Sequence, residues 1–226
     1  MSSLQKELVA VNKAKLIEAE NRFLALYPGG MKDPQLLEIG KKHKVEKMIK
    51  LTQESFAADR FSNSDEVVES MSKIAGQSSL VSVFEKPKFR DLVKALNSEE
   101  RAWLAQGLGE FLHGDQRAGF EAMVDLLGEY KLAKWPLLTV FGVYYNPGVE
   151  VLVKPTTAKG VIEHFELELK YSPRPSYEFY AGYREAKDGG RKGNLPDISF
   201  DFLGYHFDQD KLGANKEGHP SVFCQL

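Results

Sequence analysis

From Leu4 to Gly128 the chain is punctuated by residues that start and stop helices, and no other feature constrains the fold as much. Leu4, Leu8, Val11, Ile17, Phe23 and Leu24 recur at helical spacing until Pro28-Gly29-Gly30 ends the segment. Asp33-Pro34 opens the next, with an acceptor side chain at the cap and proline at the first helical position, where its missing N–H is not needed. Leu36, Leu37, Val45, Met48, Ile49 and Phe56 carry the pattern to about Arg60 as one helical stretch. Asn63 or Ser64 caps a short helix stopping at Gly76, and residues 84–96 form another with Pro87 in its first turn. Ser98 caps a helix whose inward face holds Trp103, Leu104, Leu108, Phe111 and Leu112. Asp115 then caps residues 116–127, and Gly128 ends them.

Beyond Trp135 the character changes. Residues 139–145 and 149–153 are rich in β-branched and aromatic side chains, with Asn146-Pro147-Gly148 as a turn between them, which predicts a hairpin. A buried helix starting at Pro136 is the rival reading of the same apolar run. Thr156 or Thr157 caps a helix to about His164, and Ser176 opens another through Tyr177, Tyr180 and Tyr183. Near the end, Ile198, Phe200 and Phe202 alternate with Ser199, Asp201 and Leu203, the period of a half-buried strand. Gly204 marks a bulge, and residues 221–226 offer a return strand. The expected fold class is mainly α with a small β component (α+β): a helical domain over residues 1–185, then a C-terminal β-hairpin tail over 186–226. A lone two-stranded hairpin is marginal in water, so the tail must dock on the helical domain, pair between chains, or stay loosely ordered.

Across 226 residues the apolar fraction of 42% is enough for a packed core, and a formal net charge of −2 excludes a broadly basic nucleic-acid binder. One cysteine, Cys224, rules out an internal disulfide and suits a reducing cytoplasm. The opening Met1-Ser2-Ser3-Leu4 lacks the apolar core of a signal peptide. The longest apolar run, residues 135–145, is short of the roughly 20 residues that a bilayer span takes. The chain is therefore expected to be cytoplasmic, off the membrane and without a cofactor.

Lys154, Thr156, Thr157 and Lys159 form the best candidate anion-binding site. A threonine cap, open helix N–H groups and flanking lysines attract phosphate or carboxylate, although an ordinary helix cap with solvated lysines uses the same residues. Glu150, Glu168 and Lys170 have the residue types of a metal-dependent nuclease site, which needs carboxylates and a lysine around a metal and a water. Alternating charge on an exposed strand edge explains them as well. The histidines His43, His113, His164, His206 and His219 lack the paired spacing of a zinc site, so no metal is expected. Tyr171, Arg174, Tyr177, Tyr180 and Tyr183 would serve either base stacking or core packing.

Two likenesses cover different parts of the chain. The wording around Pro28-Gly29-Gly30, Phe84-Glu85-Lys86, Lys134-Trp135-Pro136, residues 151–155, Leu169-Lys170-Tyr171 and residues 175–180 resembles a bacterial family of uncharacterised proteins, over residues 23–184. That resemblance implies no activity. In that family the helix near Tyr183 continues into a short acidic-aromatic ending, whereas here the match stops near Glu185. From Lys187 the run Lys187-Asp188-Gly189-Gly190-Arg191-Lys192-Gly193-Asn194, leading to Phe202-Leu203-Gly204-Tyr205, resembles the stretch after the polymerase active site of group II intron reverse transcriptases. The resemblance implies a primer-grip-like role for Phe202, Leu203, Gly204 and Tyr205. No Tyr-x-Asp-Asp occurs, so the carboxylates that hold catalytic metal ions are missing and polymerisation is not expected.

The leading expectation is a noncatalytic interaction protein, with a protein or a nucleic acid as partner, whose C-terminus was replaced by an intron-encoded piece. The alternatives are an enzyme of unrecognised class acting on nucleic acid or another phosphate-bearing substrate, and a nonfunctional product of intron insertion.

Overall fold

The structure, a computed structural model, describes residues 12–192. Among these the chain forms ten α-helices: α1 (Lys13–Leu26), α2 (Pro34–Lys42), α3 (Val45–Ser55), α4 (Ser64–Gln77), α5 (Glu85–Ala95), α6 (Ser98–His113), α7 (Gln116–Glu129), α8 (Trp135–Tyr145), α9 (Pro155–Phe165) and α10 (Tyr177–Lys192). Short 3-10 turns occupy Gly30–Lys32 and Ala58–Ser62. No helix among the described residues is long and apolar enough to cross a membrane.

The expected β component is corrected: the described residues are helical and hold no strand. Residues 139–145 belong to α8, and residues 149–153 follow it as irregular chain. Nine of the eleven residues of α8 are buried, so the helix is apolar all round and shows no helical period to set against its β-branched composition. Thr139 fixes the geometry. Its hydroxyl donates to the Trp135 carbonyl at 2.8 Å, one turn back, and accepts the Val153 N–H at 3.1 Å. The segment expected to pair as a strand is thus tied to a helix side chain instead. The proposed tail hairpin, with Phe202, Leu203, Gly204 and Tyr205, lies outside the described residues.

The described chain divides into two compact units. The first takes residues 12–39, 155–171 and 178–192. In it, Asn12 caps α1 through the Lys15 N–H, and Asn12 and Lys15 both reach Glu166 just past α9, at 2.9 and 2.8 Å. Those bonds hold the Glu166 carboxyl below the usual carboxylate range, the Lys15 bond foremost. Asp33 accepts from Gln35 N at 3.0 Å and so caps α2 as expected.

The second unit takes residues 40–154 and 172–177. The expected single helix over 33–60 is broken, because Lys44 adopts the left-handed conformation (φ 55°) and starts α3 on a new course. In this unit α8 is the central rod, packed by α3, α4, α6 and α7. Phe141 on α8 meets Phe56 edge-on at 5.9 Å and Phe89 at 6.4 Å. Arg101 on α6 binds Asp65 at 3.2 Å, Glu69 at 3.0 Å and the Val93 carbonyl at 2.7 Å, joining α4 and the end of α5 to α6. His113 ends α6 as expected, its ring Nε2 2.8 Å from the Phe56 carbonyl oxygen.

The α6–α7 pair is closer than side chains permit. Asn97, one residue before the expected Ser98, caps α6 in a reciprocal box with Glu100, and Asp115 caps α7 through Ala118 N. Between them the helices cross at glycines. A Cβ on Gly119 would lie 2.2 Å from the Phe111 nitrogen and 2.5 Å from the Gly107 carbonyl oxygen, both backbone atoms that cannot swing aside. Gly119→Ala should therefore cost about 3 kcal/mol or more of unfolding free energy in urea. Gly76→Ala, exposed on α4 with nothing within 4 Å of the new methyl, should instead stabilise by about 0.5–1 kcal/mol. Similar effects of the two alanines would contradict this packing.

Candidate functional site

Where the start of α6 lies beside the end of α7, the second unit opens a cleft of about 720 Å³. Its walls include Trp103 from α6, Asp125 and Glu129 from α7, Lys131 and Lys134 from the α7–α8 connection, and Arg174 from the 172–177 segment. Trp103 was expected on the inward face of α6. It lies one position off the Leu104–Leu108–Phe111 stripe and is 45% exposed, its ring forming part of the cleft wall.

The cleft is braced at its end by Tyr130 and Glu100. The Tyr130 hydroxyl donates to the Glu100 carboxylate at 2.5 Å, tying the last residue of the α7 turn to the first turn of α6, one turn before Trp103. This bond, with a second from the Asn97 backbone N–H, holds the Glu100 carboxyl below the usual range, and the same bond pushes the Tyr130 phenol up. The helix itself is ended by Lys131 in the left-handed region (φ 59°), with Lys131 N bonded to Gly128 O at 3.0 Å and Leu132 N to Leu127 O at 2.8 Å. Glycine normally fills that position, since a side chain there strains the backbone. Here the residue is a lysine that lines the cleft.

Charge in the cleft is mixed. Arg174 lies 3.5 Å from Asp125 across exposed surface, a contact that contributes little stability by itself. Lys134, at the start of α8, also acts on Glu85. Burial raises the Glu85 carboxyl, Lys134 opposes the rise, and Glu85 Oε2 is buried with no hydrogen-bond partner. The cleft thus sets a flat aromatic, three long cations and two carboxylates side by side.

The residues singled out from sequence alone are distributed differently. Lys154 is half-buried at the end of the second unit. Pro155 takes the first position of α9, so Thr156 and Thr157 fall inside its first turn rather than at its cap. Thr157 is buried, Thr156 is exposed, and Lys159 sets its ammonium 5.0 Å from the centre of the Tyr171 ring. Glu150 is buried in the second unit and accepts from Gln116 Nε2 at 2.9 Å, while Glu168 and Lys170 are exposed in the first unit on irregular chain, not on a strand. Among the described residues no three His, Cys, Asp or Glu side chains are grouped to hold a metal ion. His164 packs edge-on to Phe165. Tyr180 and Tyr183 are buried, and Tyr177 donates to Gln116 Oε1 at 3.2 Å beneath Arg117. Of the tyrosine-rich stretch, only Arg174 reaches the cleft.

The cleft was not legible from the sequence. Asp125, Glu129, Lys131 and Lys134 are ordinary solvated charges until the α6–α7 crossing places them beside Trp103. The one available signal was Trp103 itself, a large aromatic out of register with its own helix's apolar stripe. No family model, curated protein or solved structure matches the chain.

Lys131→Gly should raise stability by about 1 kcal/mol in urea denaturation, by relieving the left-handed strain, while removing one cation from the cleft. A loss of stability would contradict the strained termination of α7.

Proposed function

We propose that the chain is a noncatalytic interaction protein that takes a segment of a partner protein into the cleft beside Trp103. The observation that carries this reading is the exposed indole set among Lys131, Lys134 and Arg174. Tryptophan and arginine are the side chains from which interfaces draw most of their binding energy. Asp125 and Glu129 favour a protein over a nucleic acid, because a phosphate backbone entering the same cleft would meet both carboxylates. The single cysteine, Cys224, agrees with work in a reducing cytoplasm.

For the residues from about Lys187 we propose an origin in a group II intron reverse transcriptase, carried by the run from Lys187 to Tyr205. Helix α10 continues from Tyr177 to Lys192, past the point where one likeness ends and the other begins. A joined α10 is compatible with a replaced C-terminus, since the last turns of a helix accept many sequences.

A photo-crosslinking residue at Lys131 identifies the partner, and titration of the purified partner then tests the cleft. Trp103→Ala should weaken binding at least tenfold, about 1.4 kcal/mol or more, with the melting temperature nearly unchanged. Unchanged affinity would overturn the cleft reading. Metal-dependent cleavage of nucleic acid by the purified chain, abolished by Glu168→Ala, would overturn the noncatalytic one.

A further inference from the structure

Among the described residues, the two most exposed large apolar side chains stand next to each other in the second unit. Val83 and Phe84, in the turn that leads into α5, are 71% and 77% exposed. The turn that carries them is fixed in place. Ser82 Oγ accepts the Phe84 N–H at 3.2 Å, and the Ser82 carbonyl accepts from Glu85 N at 3.0 Å and Lys86 N at 3.1 Å. The Ser82 backbone N–H donates in return to the Glu85 carboxylate, the reciprocal clamp of a capping box. Val81 before the turn and Phe89 after it are buried and anchor both ends.

Charge around this prong is mainly positive. Lys86 and Lys88 follow at once, and Lys88 stands one helical turn beyond Phe84, on the same side. Lys88 and Lys134, which directly precedes α8, both act on the Glu85 carboxylate, so ammonium groups from two elements stand near the turn. Glu85 itself is half-buried, and further along α5 Arg90 and Asp91 pair at 3.4 Å and offset each other. Cations in the first turn of a helix oppose its dipole, and apolar side chains left in water add nothing to folding. Neither placement serves the fold.

We propose that this turn docks on the surface of an anionic lipid bilayer, with Val83 and Phe84 entering the headgroup boundary and Lys86 and Lys88 meeting the lipid phosphates. Binding at such a surface grows with buried apolar area and with attraction to anionic headgroups, and the turn combines the two. A protein partner fits less well, since two adjacent side chains offer far less than the roughly 800 Å² that each side of a stable protein interface buries. Docking of this kind stays at the membrane surface and requires no crossing helix. The inference does not rest on the cleft beside Trp103.

The test is co-sedimentation of the full chain with vesicles of phosphatidylcholine and phosphatidylglycerol in equal parts, against vesicles of phosphatidylcholine alone. The chain should bind the mixed vesicles at least tenfold more tightly, and high salt should remove the difference. Val83→Ser/Phe84→Ser should weaken binding to the mixed vesicles at least tenfold with the melting temperature nearly unchanged, because both side chains are exposed. Lys86→Glu/Lys88→Glu should weaken it at least tenfold as well, and carries the test alone if the first variant fails to fold, since acidic side chains suit the start of a helix. Failure of the chain to sediment with the mixed vesicles overturns the proposal, and so does undiminished binding by either variant. A photo-crosslinking residue at Phe84 that joins a protein, with the mixed vesicles left unbound, would assign the turn to a protein interface instead.

Discussion

The second unit depends on one close approach, that of α6 and α7 at Gly107 and Gly119. The Gly107 carbonyl oxygen and the Phe111 nitrogen stand where a side chain on Gly119 would have to begin. On the other helix, a Cβ on Gly107 would be 3.1 Å from Met123 Cγ and 3.3 Å from the Gly119 oxygen. Backbones so near leave no freedom of register, because interiors are packed as densely as organic crystals. Register in turn decides which residues meet at the far end of the pair. Glu100 and Tyr130 meet there, and one turn further in Trp103 faces the charges of α7. The cleft is therefore a consequence of where two glycines fall.

The same crossing explains why α8 can be apolar on every side. With α6 and α7 fixed as a pair, and α3 and α4 supplying other walls, the central helix meets protein in every direction. A helix in that position needs no polar face. Thr139 bonds both to its own helix and to the returning chain at Val153, and the buried Tyr144 hydroxyl pairs with Ser78 Oγ at 3.0 Å, so neither hydroxyl is left unmatched.

The caps were the most legible part of the fold. Asp33-Pro34, Asp115 and the stop at Pro28-Gly29-Gly30 carry local chemistry that tertiary packing did not override, whereas α7 runs through the expected stop at Gly128 to Glu129. Two kinds of element were not legible. Lys44 breaks the expected helix over 33–60, and a lysine gives no warning of left-handed backbone as a glycine would. Residues 139–153 have strand composition, but composition cannot distinguish a buried strand from a helix buried on all sides. The candidate site escaped for a third reason. Its charges are local commonplaces, and only a crossing set by residues in two different helices gathers them. The threonine cap expected at Thr156 or Thr157 is displaced because Pro155 claims the helix start.

Helix crossing, strained termination at Lys131 and exposed indole are the three features on which the proposed partner site rests. The chain holds two tryptophans, one at 45% exposure in the cleft and one, Trp135, buried in α8 with its N–H donated to the Ser172 carbonyl at 2.8 Å. Fluorotryptophan incorporated into the full chain gives each its own ¹⁹F resonance, assigned by Trp103→Phe. On titration with the partner found by crosslinking, the Trp103 resonance should shift and lose its solvent isotope effect while Trp135 stays in place. A saturated complex in which the Trp103 resonance has not moved would show that the partner binds elsewhere and that the cleft is not the binding surface.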